Sequence, residues 1–503
     1  MRNVLLGLID TRIDLLNPAF LDATGRAFRW RCVWDQASSV IEGPWTAPPG
    51  GGPNSGRLLD TKACTPAGFP HTAEGYARLF PGEPRHHRRL ARHGSRVARA
   101  LGGVRDPWTD QPDAASSLPL AAVMLSPEQL DQSHGQWMAT AVLSGLHFML
   151  RRREPEQVLV VNLSVTGGTG ARLGGSLQAA LDHLIEAEQG RLIVVVAAGN
   201  ERRRNAHLAR RLDPGESFPF SLFLPDRRPH ATRLDWMALA GRKSAAPVQV
   251  QVGWSARRDQ DPAPARVLGP GQGRRLDLDR EHPGTALAWV AQNARRHGAV
   301  SQGVWRPDAV AQGVWVVSPM ATPPAQALAG RWHFELKNLG SAPVDVHAWL
   351  ARNDRPGRDR HPAVRFDGPG SRADTLTALA CTDKVIRVGG YLPLDGTRGI
   401  PYPDAGSGGT VCPAPDVGGP AQWPAGRGGD ADAEPARVGR RERGTSVAAP
   451  FVARRLALAL ANAPSLPADK DALLALLQAM PQVQVLPGDE AAPETRPTLW
   501  LKP

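Results

Sequence analysis

Four polar residues, far apart along the chain, carry groups suited to nucleophilic chemistry. They are Asp10, His93, Asn200 and Ser446. A serine hydroxyl is a weak nucleophile near neutral pH and needs an adjacent base to accept its proton. An imidazole can act as that base because it titrates close to neutral pH. The chain therefore contains a candidate nucleophile, a candidate base and two further polar groups, in the order Asp, His, Asn, Ser.

Each of the four residues also has a purely structural interpretation. Ser446 precedes an apolar, alanine-rich run and could cap the helix that this run predicts. Asp10 and Asn200 could each form a tight turn at the end of a strand. His93 could be a surface histidine of a basic helix. The catalytic interpretation therefore depends on the four residues as a set and on the elements that position them.

The predicted elements bring chemistry-bearing residues to strand and helix ends. Short apolar runs that are typical of buried parallel strands cover residues 3–9, 157–164 and 191–200. Helical patterns cover roughly residues 86–102, 134–150 and 175–189. Alternating strands and helices predict an α/β fold, with a parallel sheet and helices on both faces. In such sheets chemistry collects at the carboxyl ends of the strands, where Asp10 and Asn200 lie.

A different pattern begins near residue 205. Short alternating runs, separated by Pro, Gly and Asp, predict antiparallel β-structure, either a sandwich or a jelly roll. Near residue 372 the parallel-sheet pattern returns, with a helical stretch over residues 373–383 and a strand over 384–391. The β-rich block is therefore an insertion. The predicted units are a first part of the α/β domain over 1–204, the insertion over 205–371, a second part over 372–480 and a C-terminal tail over 481–503.

Four segments of the sequence resemble the subtilases, the subtilisin-like serine peptidases. They are GLIDTRID around Asp10, HGSRVARAL from His93, VVAAGNE around Asn200 and GTSVAAPFVA around Ser446. Their order along the chain also matches that family. APDVGGPA, residues 414–421, is similar to the stretch before the family's serine segment. The resemblance covers roughly residues 1–204 and 372–480.

The resemblance implies a subtilisin-like fold and a serine endopeptidase that cleaves proteins or peptides through an acyl-enzyme. It implies that Ser446 is the nucleophile, His93 the general base and Asp10 the group that orients His93. Asn200 and the backbone N–H of Ser446 would form the oxyanion hole. VVNLSVTGG, residues 160–168, is similar to the family's substrate-lining strand, which implies that Ser164, Val165 and Gly167 line one side of an extended substrate. Ala197, Ala198 and Gly199 would border the pocket for the residue before the scissile bond.

The sequence departs from the family pattern in several places. Arg12, Arg96 and Arg99 stand where smaller or different residues are usual, so bulk is added beside two catalytic positions. Asp10 lies so near the initiator methionine that we expect neither a signal peptide nor an inhibitory prodomain before it. We therefore expect a cytoplasmic peptidase controlled by a protein partner, by its insertion or by narrow specificity. Certain bacterial germination subtilases also carry an inserted jelly roll. A catalytically weak or inactive binding protein is the alternative.

Composition restricts the other functional classes. The net charge of +12 comes mainly from arginines in scattered clusters, without the aromatic-basic motif of single-strand binders, so we expect no nucleic-acid partner. No apolar run is long enough for a membrane span. The glycine-rich stretch near residues 164–176 lacks the spacing of a dinucleotide fingerprint.

The cysteine pattern bears on metals and disulfides. The 4 cysteines are widely spaced and form no C-x-x-C pair, so we expect reduced thiols and no structural zinc. The proposed chemistry requires no cofactor. The family's structural calcium sites depend on loops that the sequence does not identify.

Overall fold

The computed structural model describes most of the α/β part of the chain and part of the insertion. The described residues are 2–49, 56–81, 92–125, 136–165, 176–224, 232–240, 248–255, 266–268, 273–277, 287–295, 309–317, 330–350, 364–393, 399–424, 443–480, 483–484 and 499–501. In this part of the chain no helix combines the length and apolar character that crossing a membrane requires.

A mixed, mainly parallel sheet forms the centre of the α/β part. Its strands are β1 (Val4–Asp10), β2 (Trp30–Asp35), β3 (Trp45–Thr46), β4 (Arg57–Leu59), β5 (Leu120–Met124), β6 (Val158–Leu163) and β7 (Leu192–Ala197) from the first part of the chain. The strands β18 (Ile386–Pro393), β19 (Gly399–Pro401), β20 (Val417–Pro420), β21 (Val483–Gln484) and β22 (Leu499–Leu501) come from the last part. The order is β21-β22-β20-β18-β7-β6-β1-β5-β2-β4-β3, with β19 paired to β18. β22, which lies in the predicted tail, is thus a strand of this sheet.

Helices cover both faces of the sheet, as the sequence predicts. The described helices are α1 (Ala73–Leu79), α2 (Arg92–Gly102), α3 (Gln136–Arg152), α4 (Ser176–Ala187), α5 (Thr445–Asn462) and α6 (Lys470–Gln478). Side chains of a strand alternate between faces. Leu6 and Leu8 of β1 therefore pack in the core formed with α2 and α5, whereas Leu5 and Ile9 pack in the core formed with α3 and α4.

The insertion consists of two antiparallel sheets. One contains β8 (His207–Leu212), β10 (Thr232–Ala240), β13 (Gly273–Asp277), β14 (Leu287–Arg295), β15 (Ala309–Val317) and β17 (Val344–Leu350). The other contains β9 (Ser217–Leu224), β11 (Val248–Ser255), β12 (Arg266–Leu268) and β16 (Gly330–Asn338). Burial alternates along β16, and its inward residues share one core with residues of β17. A parallel sheet with an antiparallel β-rich insertion is therefore confirmed, while the domain boundaries stay predictions.

One sequence-based expectation differs from the structure. Residues 373–383, predicted as helical, contain only a short 3-10 turn over Ala378–Ala380. This segment instead makes hydrogen bonds to the loops around it, for example from the Thr375 N–H to the Ser407 carbonyl at 3.0 Å. The last helix of the predicted set, near residues 468–479, is present as α6. Tertiary contacts thus override local propensity in the first segment.

Stacked histidines join the insertion to the α/β part. His207 of β8 donates from Nδ1 to the Ala373 carbonyl at 2.7 Å and accepts at Nε2 from His347 Nδ1 at 3.1 Å. The two rings stack with Trp349 beside them. Burial, helped by the neighbouring His347, lowers the pKa of His207 from 6.5 to about 3, even though the hydrogen bond to Ala373 acts in the opposite direction. Both rings are therefore neutral parts of the junction at neutral pH.

This junction predicts a specific loss of stability in mild acid. An unfolded chain binds a proton at His207 below about pH 6.5, whereas the folded chain does not until the pH approaches 3, so the stabilisation is complete above pH 6.5 and falls below it. At pH 5 the loss is about 2 kcal/mol. We expect the free energy of unfolding, measured with a chemical denaturant, to fall more between pH 7 and pH 5 for wild type than for His207→Asn. The half-exposed His71 gives the control, His71→Asn, and equal pH dependence in all three proteins would contradict the assignment.

Candidate functional site

Asp10 lies fully buried at the carboxyl end of β1. Its exposed fraction is 0%. Its Oδ1 accepts hydrogen bonds from the Thr11 N–H at 2.7 Å and from the Thr11 hydroxyl at 3.0 Å. These local donors fix the carboxylate at the end of the strand, facing the helix that carries the next candidate residue.

His93 lies in the first turn of α2 and contacts Asp10 directly. Its Nδ1 lies 2.7 Å from Asp10 Oδ1, so the ring donates to the carboxylate. The His93 side chain is 47% exposed, in contrast to its buried partner. Gly94 permits this approach, because a Cβ at that position would stand 2.5 Å from the Arg12 carbonyl oxygen. The imidazole is thus bonded at Nδ1 to a buried carboxylate, while the side chain as a whole remains partly exposed.

Ser446 lies in the first turn of α5, which begins at Thr445. Its hydroxyl donates to the Ser164 carbonyl at 3.3 Å, and the Ser164 hydroxyl donates to the Ser446 carbonyl at 3.2 Å. The second bond follows from Pro450 within the helix. Proline has no N–H, so the carbonyl four residues earlier, that of Ser446, has no helical donor. Ser164 supplies that donor and fixes the start of α5 against the end of β6.

This exchange predicts the effect of a single hydroxyl. We expect Ser164→Ala to lower the free energy of unfolding by about 1–3 kcal/mol, because the part-buried Ser446 carbonyl and the buried Asn162 amide lose a partner. Urea unfolding measures the change. Ser164→Thr, which keeps the hydroxyl, is the matched control. Equal midpoints for the alanine variant and wild type would show that the bond is not stabilising.

Asn200 lies in the turn that follows β7. Gly199, just before it, has φ +95°, in the left-handed region that favours glycine. Asn200 Oδ1 accepts from the Thr445 N–H at 3.0 Å, so the amide is oriented with its oxygen toward α5 and its Nδ2 as the donor group. The Thr445 hydroxyl donates to the Gly199 carbonyl at 3.1 Å. Thr445 thus connects this turn to the helix of Ser446, a role that the sequence analysis did not identify.

The sheet brings these residues to one edge. β7, β6 and β1 are adjacent and parallel, with Ile9 opposite Leu163 and Leu163 opposite Val196. Asp10 is the last residue of β1, Ser164 directly follows β6, and Asn200 lies shortly after β7. Asp10 binds His93 directly, Ser164 binds Ser446, and Asn200 binds the residue before Ser446. The contacts that connect the predicted site residues therefore run through neighbouring strand ends.

The predicted substrate-lining residues have mixed surroundings. Val165 is buried, and Gly167 lies outside the described residues. The backbone around Ala198 is bonded within the protein: its N–H donates to Val388 and its carbonyl accepts from Thr377, both at 2.8 Å. The Gly199 carbonyl accepts from the Gly406 N–H at 2.8 Å. Ala197 pairs with Val388 in the sheet. The turn before Asn200 is thus held by β18 and by two loop segments from the last part of the chain.

The three arginines that depart from the family pattern are all partly buried near the site. Arg12 follows β1, while Arg96 and Arg99 lie on α2. The Arg99 guanidinium lies 5.7 Å from the centre of the Trp423 ring. Within the described ranges, no group of three or more His, Cys, Asp or Glu side chains is arranged to hold a metal ion.

Comparisons with known proteins agree with this architecture. Residues 1–236 match the model of the Subtilase family. The structure is similar to that of the Clostridium perfringens CspB protease, with a TM-score of 0.67 and 18% sequence identity, covering 100% of this chain and 91% of that chain. Among curated proteins, a sequence search finds no match.

The family match confirms the resemblance that the sequence segments suggested. It includes Asp10, His93 and Asn200, whereas Ser446 lies beyond residue 236. The similarity to the CspB protease spans the whole chain and confirms a subtilisin-like α/β fold with a β-rich insertion. At 18% sequence identity, the structural similarity shows a shared fold and nothing about a shared activity.

Proposed function

We propose that this subtilase-fold chain is a serine endopeptidase that cleaves peptide bonds through an acyl-enzyme at Ser446. The observation that carries the proposal is the 2.7 Å hydrogen bond between His93 Nδ1 and the buried Asp10 carboxylate. It leaves Nε2 as the ring nitrogen that can accept a proton at the exposed edge. Protein or peptide substrates and a hydrolase activity are consistent with the family match.

The proposed reaction assigns one role to each group. His93 Nε2 takes the Ser446 proton as the hydroxyl oxygen attacks the substrate carbonyl carbon. Asp10 keeps the imidazole in the correct tautomer and stabilises the imidazolium. Asn200 Nδ2 and the Ser446 N–H donate to the oxyanion. The helix N-terminus at α5 also favours the developing negative charge. The side chains and backbone of this chain supply every step, so the proposed reaction needs no cofactor.

We also propose that a protein partner or the insertion controls the activity. Support comes from the histidine junction, where His207 of the insertion bonds the Ala373 carbonyl. The segment that follows Ala373 donates from the Thr377 N–H to the Ala198 carbonyl, next to the oxyanion turn. A displacement of the insertion would therefore reach the turn that carries Asn200. Arg12, Arg96 and Arg99, beside Asp10 and on the His93 helix, would add narrow specificity.

Hydrolysis of a defined peptide mixture, read by mass spectrometry, tests the proposal. We expect cleavage products with wild type and none with Ser446→Ala. Unfolded casein tests control by a partner, because an uncontrolled peptidase would degrade it efficiently. Slow casein hydrolysis together with cleavage of selected peptides supports control, and efficient casein hydrolysis by the purified chain contradicts it. No cleavage by wild type at any peptide would favour an inactive binding protein instead.

The proposed oxyanion hole predicts a change in rate without a change in binding. We expect Asn200→Ala to lower kcat by about 10²–10³-fold, with little change in KM, because the lost donor acts on charge that appears only in the transition state. Steady-state kinetics on a peptide found in the mixture measure both parameters. Asn205→Ala, a substitution of another asparagine shortly after the same turn, is the control. An unchanged kcat in Asn200→Ala would remove this residue from the mechanism.

A further inference from the structure

Two cysteines that are far apart in sequence lie side by side in the structure. Cys381 and Cys412 are separated by 31 residues, and their Sγ atoms are 2.7 Å apart. A disulfide has an S–S distance of about 2.0 Å. Cys32 and Cys64, by contrast, are each buried in a different core cluster. The spacing along the chain gave no indication of the Cys381–Cys412 pair, because the fold alone creates it.

Buried hydrogen bonds hold both cysteines in place. Asp374 is almost fully buried, and its Oδ1 accepts from the N–H groups of Val411 and Cys412, both at 2.8 Å. Its Oδ2 accepts from the Thr410 N–H at 3.1 Å. Cys381 ends the 3-10 turn, and its thiol contacts the Thr377 carbonyl at 3.5 Å. The two sulfurs are therefore kept close by the surrounding backbone.

The two cysteines of the pair differ in solvent exposure. Cys381 is partly exposed, whereas Cys412 is buried beside it. A dissolved thiol reagent can therefore reach one sulfur of the pair, and the second sulfur is positioned to react with the first. This is the arrangement of an attacking and a resolving cysteine.

We propose that Cys381 and Cys412 form a reversible disulfide. It would be a redox modification site between segments that donate hydrogen bonds to the turn that carries Asn200. The two cysteines lie on the two loop segments that, together with β18, hold this turn. The segment of Cys381 donates to the Ala198 carbonyl from Thr377, and the segment of Cys412 donates to the Gly199 carbonyl from Gly406, both at 2.8 Å. The disulfide connects these segments covalently. Its importance for catalysis rests on the proposed function, whereas its formation does not.

The reaction balances with a small-molecule disulfide such as oxidised glutathione as the oxidant. The Cys381 thiol loses its proton, and its thiolate attacks one sulfur of the oxidant, whose other half leaves as a thiolate and takes up a proton. The Cys412 thiolate then attacks the Cys381 sulfur and displaces the second half in the same way. The two cysteine sulfurs together lose two electrons, and the oxidant is reduced to two thiols.

Peptide mapping of the full chain after equilibration with glutathione buffers tests the proposal. We expect the oxidised chain to lose the mass of two hydrogen atoms and to show a linkage between the Cys381 and Cys412 peptides, which a reductant reverses. Cys412→Ser should instead retain one glutathione on Cys381, because the resolving thiol is missing. Cys32→Ala and Cys64→Ala are controls that should keep the linkage. Free thiols throughout, or a linkage through Cys32 or Cys64, would overturn the proposal.

Hydrogen exchange then tests whether the Cys381–Cys412 disulfide affects the turn that carries Asn200. We expect amides in the peptide containing Ala198–Asn200 to exchange several-fold more slowly in the oxidised than in the reduced chain. Peptides of α1, whose Leu79 carbonyl accepts from the Trp45 side chain of the edge strand β3, provide the internal control. Equal exchange in both redox forms would show that the disulfide does not reach the turn. Neither measurement requires peptidase activity. A negative result in either can therefore be distinguished from failure of the proposed function.

Discussion

Ser446→Ala is expected to lower kcat for peptide hydrolysis by about 10⁶-fold, the size of effect produced by removing the nucleophile of a Ser-His-Asp triad. Without the hydroxyl no acyl-enzyme forms, and the remaining oxyanion donors can assist only direct attack by water. The same substitution should abolish labelling by a fluorophosphonate probe, which reacts with activated serines. Single-turnover kinetics and gel-based labelling together measure the two effects.

The control for Ser446 is an exposed serine. Ser39→Ala changes a surface residue and should keep wild-type rates and labelling. Circular dichroism of Ser446→Ala checks that the fold is retained. Equal labelling of wild type and Ser446→Ala would remove Ser446 from the site, whatever the rates of hydrolysis.

Asp10→Asn is expected to lower kcat by about 10⁴-fold while leaving the fold intact. The Asp10 carboxylate oxygen accepts from both Thr11 donors and from His93. An amide in its place can no longer balance the imidazolium charge, and its nitrogen can donate to His93 Nδ1. The ring would then carry its proton on Nε2, the nitrogen that has to accept the Ser446 proton. Peptide hydrolysis as a function of pH measures the loss.

A second aspartate–histidine pair in the same part of the chain gives a matched control for Asp10. Asp14 Oδ2 lies 3.1 Å from His71 Nε2, in a partly exposed pair. We expect Asp14→Asn to change kcat by less than tenfold. Similar losses in the two variants would indicate a general effect of removing a carboxylate from this segment, and would contradict a specific role for Asp10.

The sequence predicted the central strands well because each is a short, uniformly apolar run. The run over residues 3–9 corresponds to β1, and the runs ending in Ser164 and Asn200 correspond to β6 and β7. All three strands are buried throughout, so their composition alone distinguishes them. The helix predicted to start in GTSVAAPFVA is also present, as α5, which begins at Thr445.

Other parts of the site depend on contacts between distant segments. Pro450 indicates an unpaired carbonyl at Ser446, but only the fold shows that Ser164 supplies its donor. Asp374 has no motif around it, yet its carboxylate organises the loop of Cys412. The adjacency of Cys381 and Cys412 likewise arises from the fold. Local patterns cannot predict such pairs, because each partner is ordinary within its own segment.

In the insertion, too, local patterns predicted the strands but not how the strands pair. Alternating apolar residues predicted antiparallel strands, and β16 has such alternating burial. The strand order is β13-β14-β15-β10-β17-β8, with β17 between β10 and β8, and no local pattern predicts it. Register and order depend on the cross-strand partners that the fold selects. The junction through His207 and His347 depends on that order, since it requires β8 and β17 to be neighbours.

If Asp10, His93, Asn200 and Ser446 surround one reacting carbon, a crystal structure of the fluorophosphonate adduct will show them around the phosphorus atom. We expect phosphorus bonded to Ser446 Oγ, with one phosphonyl oxygen within hydrogen-bond distance of both Asn200 Nδ2 and the Ser446 N–H. We also expect His93 Nε2 beside the phosphonylated oxygen, with Nδ1 still bonded to Asp10. An adduct on another residue, or a phosphonyl oxygen directed away from Asn200 with His93 remote from Ser446, would show that these four residues do not form one site.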